Sequence, residues 1–227
     1  MPLAPRTARW ISLCAILAYW AYSLATARHI PVLPATFGPL VLRIAVIKLV
    51  SLALVLLLMR LEGDGLGELG LTGRQWPRHL GIGIAIGLAM FMLLNVGLDN
   101  VMNALIPRPE GQQPSIMKFF KQPWNLLAWL PIGIFGGGVE EELQRIFVLT
   151  RLEKWFGRPG LVFAVIMTSM VFGLGHLYQG IGSALSIAVS GLVFSLVYLR
   201  KRSALEPIAA HAFSDVLAMT AATFLMK

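Results

Sequence analysis

Seven stretches of 17 to 25 predominantly apolar residues divide the 227-residue chain, running approximately from Trp10 to Thr26, Leu40 to Met59, Leu80 to Val101, Asn125 to Leu149, Leu161 to Leu177, Ser183 to Leu199 and Leu205 to Leu225. Helices of roughly this length cross about 30 Å of hydrocarbon. Lipid offers the backbone no hydrogen-bonding partner, so each stretch must be a helix that satisfies its own N–H and C=O groups. The expected fold is therefore all-α, a polytopic transmembrane bundle of about seven spans, with six to eight as the limits. Composition agrees, at 57% hydrophobic and 13% charged residues. The sequence between the stretches is too short for a soluble domain of roughly 50 residues or more, so residues 1–227 are expected to form one transmembrane domain.

The first stretch admits a second reading, because Arg6 and Arg9 precede it and Ala25-Thr26-Ala27 resembles a signal-peptidase site. Its aromatic residues Trp10, Tyr19, Trp20 and Tyr22 and the short Pro-rich turn that follows favour a retained helix. The segment EGDGLGELGLTGRQWPR reads as a surface loop. IPRPEGQQPSIMKFFKQPW contains a short amphipathic piece suited to the interface.

The net charge of +8 lies mostly in these connecting segments, as expected of anchors on anionic headgroups, so membrane lipids are expected partners and nucleic acid is not. With the N-terminus inside, one face collects Arg6, Arg9, Arg60, Arg74, Arg78, Arg151, Lys154, Arg158, Arg200, Lys201 and Arg202. The other collects Arg28, Arg108, Lys118, Lys121 and Lys227. Eleven against five favours a cytoplasmic N-terminus, in a multi-pass protein of the cytoplasmic membrane. The single cysteine, Cys14, excludes an intrachain disulfide.

Against this apolar background the run GGGVEEELQRIF, residues 136–147, places three carboxylates and an arginine inside the fourth stretch. An ionised carboxylate in hydrocarbon costs several kcal/mol, on the order of 3 even on lenient scales, so such residues mark partners or chemistry. His176, His211 and Asp215 also fall inside apolar stretches, whereas His29 and His79 lie in or beside loops. On a regular helix Glu141 and Arg145 are i,i+4 with the carboxylate N-terminal, the favourable order for an ion pair. Glu140 has only Gln144 at i+4 and is left without a local cation, which suits a general acid or base. Glu142, offset by about 100° from Glu141, has Ile146 at i+4 and receives no role. His211 and Asp215 are i,i+4 on the last helix and share a face. His176 counts as deeper than these groups from the same membrane face, so its helix must start late, tilt or break for the site to converge.

A carboxylate and a histidine that share a water, with a second histidine and an acid that polarise a carbonyl, make peptide-bond hydrolysis feasible. The same donors also form a zinc set, Glu140, His176 and His211, although HExxH is absent. Ser214 points away from the His211 and Asp215 face, which disfavours a serine nucleophile.

At these residues the chain resembles the CPBP family of intramembrane proteases, also called Abi, which groups type II CAAX prenyl endopeptidases with bacteriocin-processing and immunity proteins. Glu140-Glu141-x-x-x-Arg145 resembles EExxxR, Phe172-x-x-x-His176 resembles FxxxH, and His211-x-x-x-Asp215 resembles HxxxN/D, in the family's order. LGELGLTGRQWPR resembles the segment upstream of its core, which would span about residues 125–216. The resemblance implies a glutamate-dependent endopeptidase without a metal. Glu140 and His176 would activate water, His211 and Asp215 would stabilise the oxyanion, and Glu141, Arg145 and Phe172 would support the site. Asp215 stands where the prenyl proteases carry Asn, so donation would come from a protonated Asp215 or from His211 alone. Glu142 permits a second register with Glu141 and Glu142 as the pair, but Glu140 with Glu141 keeps Arg145 at the family's spacing.

The expected function is endoproteolysis of a membrane-bound or lipidated protein or peptide. The alternatives are a zinc-dependent form of the same protease, a non-catalytic bacteriocin-immunity or scaffold protein, and a proton-coupled transporter with an intramembrane ion path.

Overall fold

The computed structural model describes residues 3–26, 34–73, 75–107 and 115–225. Ala27 of the signal-peptidase-like site, Arg28, His29, Arg74, Arg108 and Lys227 lie outside them. Helices α1 (Pro5–Thr26), α2 (Phe37–Glu62), α3 (Trp76–Met90), α4 (Asp99–Leu105), α5 (Leu126–Pro131), α6 (Glu142–Leu174), α7 (Ile181–Lys201) and α8 (Leu205–Phe224) form the bundle, with no strand among the described residues. Wide-turn π-helical segments, Phe91–Leu98 and Ile132–Glu141, join α3 to α4 and α5 to α6 without a break.

Each of the seven apolar stretches falls on helix. Four continuous helical runs are long and apolar enough to cross a membrane: Phe37–Glu62, Trp76–Leu105, Pro123–Leu174 and Ile181–Lys201. The protein is an integral membrane, all-helical bundle. The third run carries two of the expected stretches, because Gly157 (φ 65°, ψ −152°) interrupts it two residues before Pro159. Only glycine takes that conformation readily, and Pro159 cannot donate a backbone hydrogen bond. The second half of α6 thereby folds back on the first, which brings Phe172 level with Arg145.

Lipid chains are as apolar as leucine, so helix association in a membrane relies on close packing and polar contacts more than on water exclusion. Both appear here. Gly83 and Gly87, spaced i,i+4 on α3, seat α8 so closely that a Cβ on Gly83 would lie 2.6 Å from the Ala209 Cβ and one on Gly87 2.5 Å from the Ala210 carbonyl oxygen. α6 packs along α7, and the Ile132–Glu141 segment lies between α2 and α8. α1 is part of the bundle: Ile16 and Trp20 are buried beside Val55, Leu58 and Phe147, and the Ser12 hydroxyl donates to Glu62 at 2.5 Å.

One end of the bundle gathers much of the charge counted for a single membrane face. Arg151 is buried between Glu62 (2.8 Å) and Asp64 (2.9 Å), Lys154 also reaches Asp64, and Arg202 holds Glu153 with two nitrogens. At the start of α8, Glu206 bridges His79 and Arg200. Near the other end, Phe119 and Phe120, from the piece expected along the interface, are buried in the bundle instead, and Phe120 stacks on Trp129 at 4.8 Å. Two adjacent phenylalanines carry more apolar area than a surface piece would hide.

Candidate active site

Pro131 lacks the N–H that would continue the ordinary helical ladder, and the chain answers with the wide turn over Ile132–Glu141 before returning to α-helix at Glu142. Such bulges change the angular spacing of successive side chains. Gly136, Gly137 and Gly138 sit in it against neighbouring helices, and a Cβ on Gly138 would meet the Ala212 Cβ at 2.6 Å. The three consecutive carboxylates straddle the join and diverge, Glu140 toward Lys48, Glu142 toward Arg145 and His211, and Glu141 between Lys48 and His211.

Glu140 is buried, with its carboxylate 3.0 Å from Lys48 Nζ of α2 and bonded by the Ser51 hydroxyl. Glu141 places Oε1 on the same Lys48 ammonium and Oε2 3.8 Å from Nε2 of His211, and its charge acts on His176 as well. Glu142 is fully buried and takes Arg145 Nε on both oxygens, at 3.3 and 3.2 Å, while Oε1 also accepts from Nδ1 of His211 at 2.9 Å.

Two expectations are corrected by these contacts. Arg145 pairs with Glu142 at i,i+3 and not with Glu141 at i,i+4, because Glu141 closes the wide turn and Glu142 opens the regular one. Glu140 is not without a cation, because α2 supplies Lys48 from 92 residues away. Glu142, to which spacing alone gave no role, links Arg145 to His211.

His176 lies just beyond the end of α6, where Gly173 and Gly175 let the helix finish at Leu174. This break is one of the three ways in which the histidine could meet the other groups. Its Nδ1 donates to the Phe172 carbonyl at 2.8 Å, one of the terminal carbonyls a helix leaves unpaired. In the neutral ring that leaves Nε2 with a lone pair. His211, buried on α8, stacks on Phe194 at 4.5 Å and meets the Phe172 edge at 5.6 Å. With Nδ1 on Glu142, its Nε2 faces Glu141 and Asp215, whose Oδ1 is 3.7 Å away.

Phe172 is the common wall of the site. Arg145 lies over its face at 4.6 Å and His176 meets it edge-on at 5.1 Å. Arg145 also donates from Nη1 to the Gly191 carbonyl at 3.1 Å, which ties the cluster to α7. Gly137 lies directly against His211 and Asp215: a Cβ there would lie 3.3 Å from Nε2 of His211 and overlap Oδ2 of Asp215.

The structure thus brings Glu141, His211 and Asp215 to one place with His176 and Phe172 beside them, and sends Glu140 toward α2. The zinc set Glu140, His176 and His211 is not gathered, and among the described residues no group of three His, Cys, Asp or Glu side chains is arranged to hold a metal ion. Lys48 was missed by sequence reasoning, although a lysine in LVLRIAVIKLVSLALVLLLM is as costly in hydrocarbon as the carboxylates were.

Residues 122–217 match the family model described as type II CAAX prenyl endopeptidase Rce1-like. This segment, somewhat over two fifths of the chain, is similar to the type II CAAX prenyl endopeptidases. The match supports a membrane-embedded endopeptidase of the CAAX type in general kind, and the segment holds every candidate residue from Glu140 to Asp215. Lys48 lies outside it. No curated protein and no solved structure matches the chain.

Proposed function

We propose that this CAAX-type protease hydrolyses a peptide bond of a membrane-bound or lipidated protein or peptide with a water activated by Glu141 and His176. The observation that carries the reading is the meeting of Glu141, His211 and Asp215 beside the bare Cα of Gly137. The 3.8 Å and 3.7 Å separations around Nε2 of His211 exceed a direct hydrogen bond yet are short enough for one water or one substrate oxygen to bond both sides. What favours Glu141 over Glu140 as the base is that Oε2 of Glu141 faces the histidines, while Glu140 is taken up by Lys48 and Ser51.

In this mechanism Glu141 accepts a proton from water, oriented also by the lone pair of His176 Nε2, and the oxygen attacks the scissile carbonyl carbon. Electrons move onto the carbonyl oxygen, which receives hydrogen bonds from protonated Nε2 of His211 and from Asp215 in its carboxylic-acid form. Glu142 on Nδ1 balances the charge of the imidazolium. Glu141 then delivers its proton to the amide nitrogen, the C–N bond breaks, and a carboxylic acid and an amine leave. Only water and side chains take part, and insensitivity to chelators is the expected result.

The test is cleavage of a lipidated or membrane-anchored peptide by purified protein in vesicles, with products identified by mass spectrometry. His176→Ala and His211→Ala are each expected to lose at least about 100-fold in kcat/KM. Undiminished cleavage by His211→Ala would remove the oxyanion role. Gly137→Ala is expected to lose on the order of 100-fold, because the added methyl occupies the space of the reacting carbonyl and displaces groups that tolerate little movement. A Gly137→Ala protein with parental kcat would place the substrate elsewhere.

A further inference from the structure

Among the described residues, Lys48 is the one charged group of the site contributed from outside the family-matched segment. Its side chain crosses α2 toward the glycine run, where a Cβ on Gly136 would lie 3.3 Å from the Lys48 Cγ. Its ammonium ends between two consecutive carboxylates, on Oε2 of Glu140 and Oε1 of Glu141. The Lys48 side chain is about a quarter exposed, whereas that of Glu140 is 4% exposed. Around it α2 presents large apolar side chains such as Leu42, Val46, Leu49 and Val50 outward, together with Arg43.

We infer that Lys48 is a positioning residue of the protease: by holding Oε1 of Glu141, with Glu140 as its second anchor, it directs Oε2 of Glu141 at His211 and the attacking water. The inference rests on the hydrolytic reading above. A glutamate side chain has several rotatable bonds, so a carboxylate that nothing holds can settle in several rotamers. One ammonium fixes one oxygen and so aims the other. The pairing also halves the charge problem of two adjacent carboxylates, leaving one net negative charge on the three groups. Glu140, in this arrangement, anchors the anchor: bonded by Ser51 and Lys48, it sets where the ammonium sits. The family-matched core would therefore be an incomplete catalyst without α2.

The experiment compares Lys48→Met, Lys48→Gln, Lys48→Arg and Glu141→Gln in full-length protein reconstituted in vesicles, by single-turnover cleavage and by thermal unfolding. Lys48→Met and Lys48→Gln are expected to lower kcat by about 10- to 100-fold, with KM within about threefold of the parent because the substrate surface is untouched. Lys48→Arg, which keeps a cation of similar reach, is expected to recover at least a third of the parental kcat. A role confined to stability would lower Tm and leave kcat of the folded fraction unchanged. If Lys48→Met does not fold, Lys48→Gln, which retains a donor, and Lys48→Arg decide the matter. A neutral variant with parental kcat, or a folded Lys48→Arg no better than the neutral ones, overturns the inference. Parental cleavage by Glu141→Gln would instead overturn the hydrolytic reading itself.

Discussion

Glu141→Gln is expected to lower kcat by about 10²–10⁴-fold, the range of a general base, while Glu140→Gln is expected to stay within about tenfold of the parent. The two substitutions are chemically identical and one residue apart, so the comparison isolates where each carboxylate points. At position 141 the amide removes the proton acceptor beside His211 and His176. At position 140 it still offers an oxygen to Lys48 and Ser51, and only the charge of a supporting contact is lost. Steady-state kinetics in vesicles over a series of substrate concentrations checks this. The reverse order, with Glu140→Gln inactive and Glu141→Gln active, would return the base to Glu140 and require the 132–141 turn to rewind by one residue during catalysis.

That comparison also marks where the sequence could be read and where it could not. The apolar periods were long enough to give an all-helical membrane bundle, and His211 with Asp215 could be placed on one face because α8 is regular helix through both. Glu140 to Glu142 resisted the same arithmetic. Angular spacing at 3.6 residues per turn assumes an unbroken ladder, and Pro131 with three glycines converts the ladder to wide turns up to Glu141. Arg145 therefore met Glu142, and the register that had been set aside, Glu141 with Glu142, is the one whose carboxylates touch His211. Lys48 was hidden for a different reason. Its contacts join residues more than 90 positions apart, and spacing within one helix carries no information about them. Only its improbability in hydrocarbon pointed to a partner.

Arg145→Ala is expected to be the most destabilising single change at the site, by about 3–5 kcal/mol, the range found when one member of a buried ion pair is removed. Among the described residues, no other Lys or Arg pairs with Glu142. Glu142 has no exposed surface, and His211 bonds only one of its oxygens. The arginine also bonds the Gly191 carbonyl and lies over Phe172 and Phe194, so its loss unties the first half of α6 from α7 and from the second half of α6. Cation–π contacts of this kind contribute on the order of 1 kcal/mol each. Unfolding titrations in mixed detergent would measure the change, and Glu142→Gln/Arg145→Met separates its causes. If the penalty comes from a stranded carboxylate, the double variant recovers much of the stability, because a neutral amide can still bond His211 and methionine refills the space between the two rings. Activity should not recover with it: His211 would then face an amide instead of a carboxylate, and the imidazolium that donates to the oxyanion would lose its countercharge. Recovery of both stability and cleavage would show that Glu142 is there for packing alone.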